Sequence, residues 1–224
     1  MSADFEIIPG ILEKDWREIE QKIELVKHIA KTIHIDLIDG KFVSNKTYQD
    51  PTPFKKYTND IFFELHLMVD NPIQYIDSFA KVGFKRFLGH IEQMPSQEEF
   101  VAKGQLYGEI GLALNGSTPI EKVTVSYEDL DALLIMTIEA GFSGQIFHPE
   151  DLQKVRNVKE KNHKLESDVS SFPIEVDGGI NKTTILQAKD AGVTRFVSTS
   201  AIFTNGLPED NLRLLENTVN AVKR

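Results

Sequence analysis

Eight short apolar runs, each followed by a stretch of a different pattern, constrain this chain more than any other feature. They are Phe5–Pro9, Thr32–Ile38, Ile61–Met68, Arg86–His90, Gly108–Leu114, Ala132–Thr137, Ile174–Asp177 and Arg195–Ser198. Several are continuous β-branched and apolar runs, the pattern of parallel strands covered on both faces. The segments between them carry helical spacing. Asp15–Ala30 places Ile19, Ile23, Val26 and Ile29 on one face, and Pro72–Val82 opens with Pro in a first-turn position. Pro149–Lys161 carries Leu152, Val155 and Val158, Asn181–Ala191 opens on a good N-cap, and Pro208–Val222 carries Leu212, Leu215 and Val219. A β-α order repeated about eight times in a chain of 224 residues predicts an α/β protein, a single (β/α)8 TIM barrel filling residues 1–224 as one domain. An open doubly wound sheet is the alternative, but no GxGxxG turn follows the first strand.

Composition narrows the function. Lys and Arg number 25 against 34 Asp and Glu, a net charge of −9, which argues against binding to nucleic acid or an anionic membrane surface. No apolar run approaches the roughly 18 residues of a membrane span. The chain has no cysteine, so disulfides, thiolate metal sites and a Cys nucleophile are excluded and a reducing compartment is favoured. The start, MSADFEIIPGILEKDW, is acidic where an export signal carries positive charge. A cytoplasmic location is expected, and the sequons at Asn45, Asn115 and Asn181 read as incidental.

In a barrel the chemistry sits at the C-terminal ends of the strands, so polar residues that interrupt the apolar runs there are the candidates. The second run contains His34 and Asp36, two apart and therefore on one face. Glu64, His66 and Met68 share a face of the third by the same rule, and Asp177 ends the seventh ahead of Gly178 and Gly179. Each of these can be a separately satisfied buried polar group. Together, two imidazoles and two carboxylates at three strand ends suit one divalent ion such as Zn, Fe, Mn or Co. A buried Asp without a partner costs several kcal/mol, so the set requires an explanation.

The ordered motifs HIDLIDGKFVSN, ELHLMV, GFSGQIF, VDGGI and SAIF, with IIPGIL at residues 7–12, resemble the ribulose-phosphate 3-epimerase family over nearly the whole chain. The resemblance implies a (β/α)8 barrel that binds one divalent metal and interconverts ketose phosphates at C3. It implies His34, Asp36, His66 and Asp177 as metal ligands, with Asp36 and Asp177 also the acid–base pair. Met68 and Met136 match methionines lining the site, and Gly141, Gly144 and Gln145 match a loop that closes over substrate. Gly178, Gly179 and Ser200 match a backbone phosphate cradle, beside which Asn181 is expected to cap a helix. His90 and Glu92 match an HxE pattern, and Asp39-Gly40 reads as a turn near the site. His28, His148 and His163 are expected in solvent. Tyr48, Phe54, Tyr57, Phe62 and Phe63 are expected in the core or in an oligomer contact.

The chain departs from the family pattern at positions that grip substrate. Gly10 and Thr199 are substrate-site positions where the family usually has Ser and Gly, respectively. Ile38 replaces Met, Glu64 replaces Asp, Ser44 and Ala140 replace Pro, and Ser143 replaces Gly. These departures bear on the sugar rather than on the reaction. The expected substrate is D-ribulose 5-phosphate, with a hexulose 6-phosphate such as allulose 6-phosphate as the alternative. A non-catalytic sugar-phosphate-binding barrel is a further alternative, against which the costly polar cluster stands. A Schiff-base aldolase would need a Lys at a strand end, and none is found. The expected partners are a ketose phosphate and further copies of the chain in a homo-oligomer.

Overall fold

The computed structural model describes residues 5–163 and 172–221; the expected helix end at Val222 and residues 1–4 of the start lie outside that range. Eight strands, β1 (Glu6–Ile11), β2 (Thr32–Ile38), β3 (Phe62–Met68), β4 (Arg86–His90), β5 (Glu109–Leu114), β6 (Ala132–Met136), β7 (Ile174–Asp177) and β8 (Arg195–Ser198), pair in sequence order. All pairs are parallel, and β8 returns to β1 to close a barrel. β1 runs two residues past the expected end at Pro9. Gly10 and Ile11 pair with His34 and Ile35 although Pro-Gly reads as a strand breaker, because strand partners on both sides override local preference.

Seven α-helices are described: α1 (Trp16–Val26), α2 (Ile73–Val82), α3 (Gln97–Gln105), α4 (Leu152–His163), α5 (Thr184–Ala191), α6 (Ser200–Phe203) and α7 (Pro208–Asn220). α1 is shorter than the spacing suggested. Asp15 caps it by accepting from the Arg17 N–H at 2.8 Å, and the chain turns off after Val26. α3 was not legible, since its buried face is only Phe100, Val101 and Gly104. The strict β-α alternation also fails twice. β2 connects to β3 through a 3-10 turn at Thr52–Lys56, and β5 connects to β6 through two such turns at Ile120–Lys122 and Tyr127–Asp129.

Strand alternation divides the core. Outward residues such as Phe63, Leu65 and Leu67 pack under the helices. Phe54 lies 5.7 Å from Phe63 and 5.2 Å from Phe84, edge-on in both cases, which makes the Phe54 and Phe63 pair core rather than interface. Inside the barrel, Leu88, Ala113, Ala132, Leu134, Met136 and Ile138 form an apolar half on the β4 to β6 side. The other half carries the polar residues: His34 and Asp36 of β2, Glu64 and His66 of β3, and Glu175 and Asp177 of β7 are all buried. The four expected metal ligands therefore fall in one half of the barrel interior, with Met136 in the apolar half facing them.

Candidate metal centre and active site

Register brings the polar residues together. β2 and β3 pair with His34 beside Glu64 and Asp36 beside His66, and closure of the barrel carries Asp177 on β7 across to them. His34 Nε2 stands 3.2 Å from Asp36 Oδ1 and 4.0 Å from Asp177 Oδ2. His66 Nδ1 stands 2.9 Å from Asp36 Oδ1 and 3.4 Å from Asp177 Oδ2. Ligand atoms about 2.1 Å from a tetrahedral ion lie about 3.4 Å from one another. The four donor atoms, all within 4.8 Å of one another, have that spacing.

The electrostatics ask for positive charge at the centre. Burial alone would lower the His34 pKa, but the Asp36 charge and carboxylate hydrogen bonds outweigh it and raise it well above the ordinary imidazole value. His66 is likewise raised by hydrogen bonds to Asp177 and Asp36 against the effect of burial. The Asp36 carboxyl is held low by the same imidazoles despite its burial. Two carboxylates that draw protons onto two buried imidazoles form a donor set that a divalent cation fits.

A surrounding set of residues fixes the direction of each ring. Nε2 of His34 faces the carboxylates, so its Nδ1–H donates to Glu64 Oε1 at 2.7 Å. Glu64 also accepts from Arg86 Nη1, and Arg86 Nε donates to Glu109 Oε2 at 2.7 Å. Burial would raise the Glu64 carboxyl, but the His34 hydrogen bond and the Arg86 charge bring it down to about 2. For His66, Nδ1 faces the carboxylates, so its Nε2–H donates to His90 Nε2 at 3.0 Å. His90 Nδ1–H then donates to Glu92 Oε2 at 2.9 Å, and Glu92 accepts from the Asn115 N–H at 2.8 Å. Such outer contacts set the tautomer and basicity of a ligating His. Glu92 is held at about 2, its burial outweighed by the hydrogen bonds from His90, Thr118 and Asn115.

The loops beyond the strand ends complete a pocket lined by Asp36, Met136, Ile138, Asp177, Gly178, Gly179, Thr199 and Ser200, with Phe142, Ser143 and Gly144 across its mouth. Gly178 and Gly179 have φ of 115° and 69°. A Cβ on Gly178 would lie 2.3 Å from Ile138 Cγ1, so this backbone approach is open to glycine alone. The Thr137 hydroxyl donates to the Asp177 and Gly178 carbonyls at 3.1 and 2.6 Å and holds the turn. Asn45, buried, donates to the Gly141 carbonyl at 2.8 Å and ties the loop after β2 to the loop after β6.

Several expected site residues do not themselves line this pocket, although Gln145 lines an adjoining cavity with Gly144, Gly179 and Ser200. Met68 is buried, Gly10 packs against Thr199 Oγ1, and Gly141 is engaged by Asn45. The Gln145 side chain donates to the Glu139 and Phe142 carbonyls of its own loop. Asp39 accepts from the Lys41 N–H within its own turn and from the Asp70 N–H, tying the loop after β2 to the loop after β3. Asn181 caps the start of α5 as expected: its side chain accepts from the Thr183 and Thr184 N–H groups at 2.9 and 3.2 Å, and its carbonyl accepts from the Ile185 N–H at 2.9 Å. His28 is exposed, His148 lies 3.8 Å from Asp151, and the side chain of His163 lies outside the described residues. The residues that were not foreseen are Arg86 and Glu175. Glu175 is fully buried two residues before Asp177, and neither of its oxygens has a hydrogen-bond partner among the described residues. Burial and the Glu64 charge push its carboxyl up to about 7. Its spacing to Asp177 was the available signal.

The Ribulose-phosphate 3 epimerase family profile matches residues 6–203. The chain is 34% identical over 220 residues to "Ribulose-phosphate 3-epimerase" of Schizosaccharomyces pombe, covering 95% of this chain and 93% of that one. It is 33% identical over 226 residues to "Ribulose-phosphate 3-epimerase, cytoplasmic isoform" of Oryza sativa subsp. japonica, covering 97% and 96%. Among solved structures, KGPDC from Streptococcus mutans superposes with a TM-score of 0.69 at 13% identity over 96% of both chains. Orotidine 5'-phosphate decarboxylase from Pyrococcus horikoshii superposes at 0.65 and 13%, over 96% of this chain and 100% of that one. These two likenesses concern the barrel alone. A profile match across most of the chain, together with relatives above 30% identity over nearly its full length, places it in the ribulose-phosphate 3-epimerase family.

Proposed function

We propose that this protein epimerises a ketose phosphate at C3, converting D-ribulose 5-phosphate to D-xylulose 5-phosphate, with Asp36 and Asp177 as the acid–base pair. The observation that carries this reading is the pair of carboxylates, from strands β2 and β7, meeting at one buried His2Asp2 cluster. Inversion at carbon needs one group to remove a proton from one face and another to return a proton to the opposite face. One aspartate takes the C3 proton as a carboxylate, leaving a planar enediolate. The other, protonated, delivers a proton to the far face and becomes the carboxylate, so the pair exchange states in each turnover. His34, Asp36, His66 and Asp177 would hold a divalent ion, which when bound supplies Lewis-acid stabilisation of the enediolate's charge. Met136 and Ile138 wall the reacting end against water. The phosphate fits the backbone of Gly178 and Gly179 with the Ser200 hydroxyl.

We take residues 1–224 as one barrel domain acting in the cytoplasm as a homo-oligomer. The cytoplasmic isoform among its relatives supports the location, and no helix among the described residues is long and apolar enough to cross a membrane. The test is turnover of D-ribulose 5-phosphate by protein reconstituted with Zn, Fe, Mn or Co, beside an EDTA-stripped sample and Asp36→Asn. Metal-dependent turnover that the Asn variant loses is the expected result. Metal binding without turnover of the pentulose would overturn the pentose assignment, and allulose 6-phosphate is the next substrate to assay.

A further inference from the structure

Gly10 and Thr199 lie at the ends of adjacent strands and compete for one space. A Cβ on Gly10 would stand 2.5 Å from Thr199 Oγ1 and 2.9 Å from Val197 Cγ1. The Thr199 hydroxyl thus occupies the place where a side chain of residue 10 would begin. Threonine is stiff at χ1, and both obstructing groups belong to β-branched residues, so neither swings aside cheaply. Thr199 is half-buried and lines the pocket together with Asp36, Asp177, Gly178, Gly179 and Ser200. Its hydroxyl has no hydrogen-bond partner among the described residues, whereas the neighbouring Ser198 hydroxyl donates to the Ile180 carbonyl at 3.0 Å. A donor on a residue that lines the same pocket as the acid–base carboxylates and the glycine turn, and that is unused among the described residues, is available to a ligand.

We propose that Thr199 is a substrate-positioning residue whose hydroxyl hydrogen-bonds an oxygen of the bound sugar phosphate, and that residue 10 is glycine because Thr199 fills its side-chain space. The hydroxyl is then offered by the residue that follows β8, in space that a side chain on Gly10 of β1 would otherwise fill. The proposal rests on the epimerase reading of the site and adds to it the residue that sets the grip on the sugar.

The experiment compares metal-reconstituted wild type with Thr199→Val, Thr199→Gly, Gly10→Ser and the Gly10→Ser/Thr199→Gly double variant, measuring KM and kcat for D-ribulose 5-phosphate and Tm. Thr199→Val keeps the shape and removes only the hydroxyl. It is expected to raise KM about tenfold, the worth of one neutral hydrogen bond, with the loss falling on KM more than on kcat. Gly10→Ser alone is expected to lower Tm by about 5 °C through overpacking. In the Thr199→Gly background the same serine is expected to be tolerated, and its own hydroxyl to bring KM back toward wild type. An unchanged KM in Thr199→Val, with wild type active, overturns the grip. A serine at position 10 that is equally destabilising in both backgrounds overturns the coupling. Absence of turnover by wild type is instead the failure of the epimerase reading. In that case calorimetric Kd for D-ribulose 5-phosphate replaces KM, and the Tm comparison decides the packing as before.

Discussion

Glu175→Gln is expected to stabilise the metal-free protein, and to do so only above mildly acidic pH. Glu175 is 0% exposed, with neither carboxylate oxygen hydrogen-bonded among the described residues and with Glu64 nearby as a second negative charge. Its carboxyl is pushed from the ordinary 4.5 up to about 7. An acid whose folded pKa lies above its unfolded value keeps its proton in the folded state after the unfolded chain has lost it. Stability therefore falls as pH rises from about 4.5 to about 7, and it is level above that. At ~1.4 kcal/mol for each tenfold change in proton affinity, the loss complete by pH 8 is about 3 kcal/mol. At pH 5 it is below about 1 kcal/mol. Glutamine has the same shape, cannot ionise, and offers an amide N–H to Glu64. Urea denaturation of EDTA-treated wild type and Glu175→Gln at pH 5 and pH 8 measures the difference. The pH-independent effect of the amide cancels between the two conditions, leaving a gain larger by 2–3 kcal/mol at pH 8. A gain of equal size at both pH values, or a variant less stable at pH 8 than at pH 5 relative to wild type, refutes the reasoning.

Two further substitutions test the support around the site. Arg86→Met leaves Glu64 buried beside Glu175 without its guanidinium, and is expected to cost about 3–5 kcal/mol by urea denaturation at pH 7; a loss below 1 kcal/mol would show that Arg86 is not what holds Glu64 ionised. Gly178→Ala places a Cβ 2.3 Å from Ile138 at a φ of 115°; it is expected to lower stability by about 2 kcal/mol or more and to weaken inorganic phosphate binding in calorimetry, whereas Gly144→Ala, whose Cβ would meet nothing within 4 Å, is expected to cost less.

How much of this was legible in the sequence depended on whether the signal was local. Period-two spacing placed His34 with Asp36 and Glu64 with His66 on single faces, and register then joined the two pairs. The same rule applied to Glu175 and Asp177 would have found Glu175. Against that signal, a Glu inside a four-residue apolar run resembles a strand edge in solvent. Arg86 opens β4, where a charged residue ordinarily marks the end of the core, and only the β3–β4 register, which sets it beside Glu64, shows that it is buried against that carboxylate. The exchange between Gly10 and Thr199 could be seen as two separate departures but not as one. The residues are 189 positions apart in sequence and become neighbours only when β8 pairs with β1. α3 escaped because its apolar face is three residues wide and includes a glycine. The crossovers without α-helices escaped because a 3-10 turn leaves no amphipathic period to read.

The charges inside the barrel explain why these residues occur together. Asp36, Asp177 and Glu64 are three carboxylates in one low-dielectric half of the interior, faced by a single guanidinium, Arg86. Ionised carboxylates left uncompensated there would cost several kcal/mol each. Protonation of Glu175, favoured by burial and the Glu64 charge even though His34 Nδ1 stands 3.6 Å from its Oε1, keeps a fourth negative charge out of this half below about pH 7. Three carboxylates and one guanidinium leave two negative charges. In the metal-free protein, protons on the raised imidazoles His34 and His66 offset them; a divalent cation offsets the same two charges and displaces those protons. The neutral Glu175 and the divalent ion are thus two parts of one charge balance. It follows that Glu175→Gln should preserve metal affinity, while Glu64→Gln, which removes a charge from that balance and an acceptor from His34, should weaken it by about tenfold to a hundredfold in competition with a chromogenic chelator. Equal losses in the two variants would show that the interior charges do not act together.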